Sequence, residues 1–157
     1  MIGAALACLL SLGVITQDKS PSYADRYWER NEESLRICVR VYQTAQARGL
    51  DPLELLAVGF VETRHRDLIS SAGAIGPLQA LPRYWCPQRG ACDPVEAGAR
   101  AWAHYRSRAE SIEEAAGSYN GAGPRSGYAR AVRAHHDLLR ARVEALPVWV
   151  RWGAYGR

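Results

Sequence analysis

Glu62 is the residue of this sequence best placed for proton chemistry. It closes a segment in which Leu53, Leu55, Leu56, Ala57, Val58, Phe60 and Val61 cover almost every side of a helix, a pattern that predicts burial. A carboxyl group at the end of such a helix loses solvation and meets the negative end of the helix dipole. Both effects disfavour the charged form and push the pKa toward the value of about 6 that suits a general acid near neutral pH. A rise of about two units is about 2.7 kcal/mol against the ionised state, which singles out Glu62 as a functional candidate. The competing reading is a partly exposed Glu62 paired with Arg64 or Arg66.

Two further clusters lie downstream of this acid in the sequence. The first is a glycine-rich loop, Ser70-Ser71-Ala72-Gly73-Ala74-Ile75-Gly76-Pro77-Leu78-Gln79, and the second is Ser118-Tyr119-Asn120-Gly121-Ala122-Gly123. Gly73 and Gly76 would let the backbone approach a ligand or take the positive φ of a tight turn. The second cluster offers a tyrosine hydroxyl, Tyr119, and a turn in which Asn120 is expected to hold the loop. One acid, polar side chains and close-approach glycines point to a sugar-cleaving cleft.

Helices must position these groups. Glu29 to Arg48 carries apolar residues at helical spacing and Gly49 stops it. Asp51-Pro52-Leu53-Glu54 starts the next helix, with Asp51 as cap and Glu54 reaching back, and the device recurs at Asp93-Pro94-Val95-Glu96. Ser111 and Glu114 form a third capping pair. Asp51, Glu54, Asp93, Glu96 and Glu114 therefore read as caps, leaving Glu62 as the acid in the driest setting. Pro124 and Ser126 precede an amphipathic stretch through Ala129, Val132, Leu138, Leu139 and Val143, ended by Pro147. No strand pattern of useful length competes. The expected fold is mainly α, a single helical domain, with room for a short hairpin or irregular loops at the cleft.

With 157 residues, 48% of them hydrophobic and 23% charged, the chain has the balance of one globular domain and not of a disordered or fibrous protein. Its net charge of +4 is spread along the chain without a basic run, which fits a polyanionic partner and gives no nucleic-acid signature. Residues 1–24 read as an export signal or weak anchor: Met1 to Thr16 is free of charge, and Ser22-Tyr23-Ala24 offers a cleavage site. A buried N-terminal helix is the alternative. Residues 25–146 then form the domain, and 147–157, with Trp149, Arg151, Trp152, Tyr155 and Arg157, a basic aromatic tail that touches glycan or membrane or docks on the core.

Cysteine usage agrees with export. Cys86 and Cys92 bracket a turn-forming loop, and a disulfide between them stabilises the fold by roughly 2 kcal/mol in the chain-entropy picture. Cys38 sits in an apolar helical pattern and reads as a free core thiol. The cysteines lack the paired short spacings of structural zinc sites, so no metal and no cofactor is expected. His135 and His136 are adjacent on a helix and read as a solvated face, while His65 and His104 are isolated and receive no role.

The three ordered blocks resemble the lytic transglycosylases that cleave bacterial peptidoglycan, a branch of the lysozyme-like superfamily related to goose-type lysozyme. Glu62-Thr63 is similar to the family's Glu-Ser pair, Ser70 to Gln79 to its Ser-x-x-Gly-Ala-x-Gly-Leu-Met-Gln block, and Ser118 to Gly123 to its Ala-Tyr-Asn-Ala-Gly block. Asp93-Pro94 followed by Ala97-Gly98-Ala99 is also similar, so the resemblance covers roughly 50–132. Departures are His65 three places after the acid, Pro77-Leu78 for Leu-Met, and a loop one residue shorter. Pro77 bears on the start of the short helix expected to carry Gln79.

The resemblance implies a lysozyme-like fold and a mechanism in which Glu62 acts as acid and then as base. It also implies substrate-binding roles for Ser70, at the acetamido group, for Gln79, at sugar hydroxyls or against Glu62, and for Tyr119 and Asn120. Peptidoglycan strands are the implied partner, with membrane or envelope-complex association alongside. A monomer in the periplasm or cell envelope, or a phage lysis protein, is the expected setting. A hydrolytic lysozyme, using Asp67 and a water, and a non-catalytic glycan-binding module are the alternatives.

Overall fold

The structure, a computed structural model, describes residues 2–13, 21–87 and 92–147. Seven helices lie among them: α1 (Ile2–Ser11), α2 (Pro21–Ala47), α3 (Pro52–Thr63), α4 (Pro82–Trp85), α5 (Pro94–Arg106), α6 (Ile112–Asn120) and α7 (Gly127–Glu144). The protein is mainly helical, and no strand is found among the described residues. Only isolated bridges, Ile69 to Ile75 and Ile75 to Ala80, mark the loop after α3, where the sequence leaves room for a hairpin.

Helix starts obey the capping chemistry of the sequence. Asp51 accepts from the Leu53 amide at 2.8 Å, Asp93 from Val95 at 3.0 Å, Ser111 from Glu114 at 3.2 Å and Ser126 from Ala129 at 3.1 Å. Glu114 also reaches back to the Glu110 amide at 2.8 Å. Glu54 departs from the capping expectation: it is buried and accepts from Arg106 Nε at 3.0 and 3.1 Å and from Trp102 Nε1 at 3.3 Å. Glu96 turns instead to Arg48, 2.7 Å from its Nε.

Helix α3 is the centre of the molecule, buried from Leu53 to Gly59 and packed against α2 on one side and α7 on another. Helix α6 bridges α7 and α5. Helix α1 packs on α2, α7 and α3, with Ala4, Ala7, Cys8 and Leu10 buried. The proposed cleavage run Ser22-Tyr23-Ala24 lies within α2, while the aromatic tail from residue 148 onward lies outside the described residues.

Two disulfides close the fold. Cys86 and Cys92 are bonded as expected, with Cα atoms 5.4 Å apart. Cys38 is not the free thiol expected from its apolar pattern: it is bonded to Cys8 of α1, Cα to Cα 5.7 Å. Periodicity reports that a thiol is buried and says nothing of what is folded against it. His135 and His136 are likewise not on a solvated face, being 9% and 5% exposed, whereas Leu138, read as part of the apolar stripe, is 44% exposed. Two disulfides indicate an oxidising, exported environment. Among the described residues no helix is long and apolar enough to cross a membrane.

Candidate active site

The site is built where the end of α3, the loop 64–80, α6 and the start of α7 meet. Helix α3 stops because Arg64 and His65 both take left-handed backbone, φ 55° and 58°, and their amides return to Phe60 and Gly59 carbonyls at 2.9 and 3.1 Å. Two consecutive non-glycine residues in this region store strain of order 1–3 kcal/mol each, held in place by the packing around them. The consequence is an abrupt turn just beyond Glu62.

Thr63 anchors the loop 64–80 to the end of α3. Its hydroxyl donates to the Pro77 carbonyl at 3.0 Å and accepts from the Arg66 amide at 3.0 Å. From the other side the Tyr119 hydroxyl donates to the Leu78 carbonyl. Adjacent carbonyls of one loop are thus held by α3 and by α6, which brings Glu62, the loop and Tyr119 together. Gly76 makes the approach to α5 feasible: its φ is 75°, and a Cβ there would sit 2.3 Å from Pro94 Cβ. Gly98 in α5 does the same for Leu78, whose Cβ would lie 2.3 Å from an added methyl.

Glu62 is half-buried, and its Oε1 accepts from the Tyr128 hydroxyl at 2.6 Å. Burial raises its pKa, and the Tyr128 hydrogen bond pulls it partly back. Among the described residues no cation pairs with it. Arg64 instead lies 5.5 Å from the Phe60 ring centroid, and Arg66 donates to the Thr63 carbonyl at 2.9 Å. The paired, exposed Glu62 is therefore not what forms. Glu54 is the more buried acid, correcting the expectation that Glu62 is driest, but Glu54 has Arg106 and Trp102 as partners. What distinguishes Glu62 is burial without a cation.

The tyrosines hold their protons. Burial first, then the Glu62 charge and Tyr105, raise the Tyr119 pKa; burial, then the Glu62 charge and the hydrogen bond to it, raise that of Tyr128. Tyr128 is a residue the sequence reading misses. Its signal is the spacing Tyr128, Val132, His135, Leu139, which puts it on the buried face of α7, facing α3.

The other residues expected at the site have mixed placements. Ser70 Oγ accepts from the Ala74 amide at 3.0 Å and closes the loop on itself. Gly73 is exposed at φ 79°. Gln79 sits in a turn at φ 50° and not in the short helix expected, its amide donating to the Leu68 and Gly76 carbonyls at 3.0 and 2.8 Å. Pro77 stands second in the four-residue turn that the Gln79 backbone amide closes on the Gly76 carbonyl at 3.2 Å, a position that suits its fixed φ. Asn120 is exposed as the last residue of α6, before the left-handed Gly121. Trp85, Tyr105, Tyr119 and Trp102 form an edge-to-face row with centroids 5.9 to 6.1 Å apart, running from the partly exposed Trp85 to the fully buried Trp102. Beside it, between α5 and α6, is a hollow of about 440 Å³ lined by His104, Tyr105, Arg108, Glu114, Ser118 and Pro124. Among the described residues no group of three or more His, Cys, Asp or Glu side chains is arranged to hold a metal ion.

Comparison of the chain with protein-family models, with curated proteins and with solved structures finds no match.

Proposed function

We propose that this chain is a peptidoglycan lytic transglycosylase acting in the bacterial envelope. The observation that carries the reading is the Glu62 carboxyl: half-buried, raised in pKa by that burial, held by the Tyr128 hydroxyl and approached by no cation among the described residues. A carboxyl in this state keeps its proton nearer to neutral pH than an ordinary glutamate does, as a general acid requires. The three sequence blocks that resemble the family add the substrate.

In this mechanism protonated Glu62 gives its proton to the oxygen bridging N-acetylmuramic acid and N-acetylglucosamine, and the bond from that oxygen to C1 of the muramic sugar breaks. The substrate's acetamido group steadies the positive charge at C1. Glu62, now a carboxylate, takes the proton of the muramic 6-hydroxyl as O6 bonds to C1, closing the 1,6-anhydro ring and restoring the acid. One carboxyl group suffices. Tyr128 positions it and moderates its pKa, Tyr119 and Thr63 hold the loop beside it, and the partly exposed Trp85 and Tyr105 offer ring edges to the sugars. Ser70 and Gln79 act through the shape of the loop they close, with the Gln79 carbonyl oxygen as the group offered to sugar hydroxyls.

Mass spectrometry of digested peptidoglycan tests this. The wild type yields anhydro-muropeptides, and Glu62→Gln, which cannot give up a proton, loses activity by at least about 100-fold. Reducing-end products alone would make the chain a hydrolase, and full activity in Glu62→Gln would remove Glu62 from the chemistry.

A further inference from the structure

Below the contact between Glu62 and Tyr128 lies a second polar contact between α3 and α7, and it runs through α1. Ser11, the last residue of α1, is 2% exposed, and its Oγ lies 3.3 Å from Nε2 of His65 and 3.1 Å from Nε2 of His135. His65 belongs to the left-handed turn that ends α3. His135 stands on α7 two helical turns beyond Tyr128, on the same face. Phe60 of α3 stacks on the His135 ring, centroids 3.8 Å apart and planes within 3°. Two more bonds hold α1 there: the Cys8–Cys38 disulfide, and Arg142 of α7 donating to the Leu10 carbonyl at 2.7 Å, a cation at the negative end of the helix.

The chemistry of this cluster is directional. A serine hydroxyl has one proton, so when it donates to one Nε2 the other must bring its own N–H. Nδ1 of His65 is buried without a hydrogen-bond partner, against Gly59, where an added Cβ would lie 2.9 Å away. A bare lone pair is tolerated there better than an orphaned N–H. His65 therefore carries its proton on Nε2 and donates to Ser11, and Ser11 donates to His135. A second proton on His135 sets an N–H against the Ser11 hydroxyl proton and breaks the order of the chain, and one on His65 leaves a buried N–H at Nδ1 without an acceptor. The charged groups nearby oppose one: Arg142 on α7, and Arg64 over the Phe60 ring at 5.5 Å, while α1 brings no ionisable group. Burial, then His135, lowers the His65 pKa to about 3, and burial, then Arg142, lowers that of His135 to about 4.

We propose that Ser11, His65 and His135 are positioning residues: their neutral hydrogen-bonded chain sets the spacing of α3 and α7 at which the Tyr128 hydroxyl reaches the Glu62 carboxyl. The proposal rests on the transglycosylase reading for its catalytic consequence alone. Helix α1 thereby becomes a working part of the domain, a strut whose terminal hydroxyl reaches both catalytic-side helices.

Two NMR titrations of the full chain test it, ¹³C at the Glu62 carboxyl and ¹⁵N at the imidazoles, in wild type, Ser11→Ala, Ser11→Thr and Tyr128→Phe. In wild type, His65 and His135 stay neutral and of opposite tautomer from about pH 8 to about pH 5. Tyr128→Phe raises the Glu62 pKa by removing its donor, Ser11→Ala raises it in the same direction from a distance, and Ser11→Thr, which keeps the hydroxyl, returns it toward the wild-type value. On peptidoglycan, Ser11→Ala lowers kcat by about threefold or more with KM unchanged. A folded Ser11→Ala whose Glu62 titrates as in wild type overturns the proposal. So does either imidazole titrating near its ordinary value in wild type, or a Ser11→Ala chain that fails to fold at pH 7, since the hydroxyl would then serve stability. A wild type that releases no anhydro-muropeptide removes the proposed function, while the titrations still decide the positioning.

Discussion

Glu54 and Glu62 show how two acids of one helix come to differ. Both lose solvent, but Glu54 meets a guanidinium and an indole N–H, whereas Glu62 meets a neutral tyrosine hydroxyl. A hydroxyl donor favours the carboxylate, so losing it raises the Glu62 pKa further. Tyr128→Phe should therefore move the high-pH limb of kcat/KM, where the acid loses its proton, to higher pH. The maximal rate should fall by about tenfold, the equivalent of a charge-assisted hydrogen bond worth about 1.4 kcal/mol. A pH–rate profile on defined glycan reads both effects; a limb that moves down contradicts the assignment of Tyr128. Glu62 is legible in the sequence because an apolar run ending in a carboxylate is visible as a pattern. Tyr128 is not, because a tyrosine at the start of an amphipathic helix is ordinary until a distant acid is brought to it.

Between elements, the contact that matters most is that of the loop 64–80 with α5 and α6. Gly76 and Gly98 let the backbone of the loop and of α5 come closer than any side chain would permit. Gly76→Ala meets both a positive φ and the Pro94 ring, and should destabilise the fold by about 3 kcal/mol, measured by denaturant unfolding. A loss under about 1 kcal/mol would mean that the loop gives way freely. The capping residues Asp51, Asp93, Ser111 and Ser126 are legible because a cap is decided within a few residues of chain. The turn that replaces a helix at Gln79 is not. It depends on carbonyls at Leu68 and Gly76 that are brought to Gln79 by the folded loop.

Across the whole molecule, covalent closure and buried imidazoles set the response to conditions. The Cys8–Cys38 bond spans 30 residues and Cys86–Cys92 spans 6, so in the loop-entropy picture their removal costs about 3.6 and about 2.2 kcal/mol. Replacing each pair with serine and comparing Tm should rank them in that order. The imidazoles add a pH dependence. His65 and His135 are lowered to about 3 and about 4, so near pH 7 neither folded nor unfolded chain is much protonated at these sites. As pH falls through about 6.5 the unfolded chain takes up protons that the folded one refuses, and stability declines until the folded groups titrate. Urea midpoints that decline from about pH 7 to about pH 4, and decline less in His135→Phe, bear this out; a pH-independent difference between the two proteins contradicts it.

By itself the sequence determined the helical class, the helix starts, the Cys86–Cys92 disulfide and the apolar run that Glu62 closes. Each of these depends on residues close together in the chain or on a single period of hydrophobicity. Tertiary structure decided which groups Glu62 meets, that Glu54 has a cation while Glu62 has none among the described residues, that Cys38 is bonded to Cys8, and that Ser11 stands between His65 and His135. The physical reason is common to all four. Burial is a property that a residue's own neighbours predict, whereas the partner of a buried polar group comes from another part of the chain, and only packing brings the two within hydrogen-bonding distance.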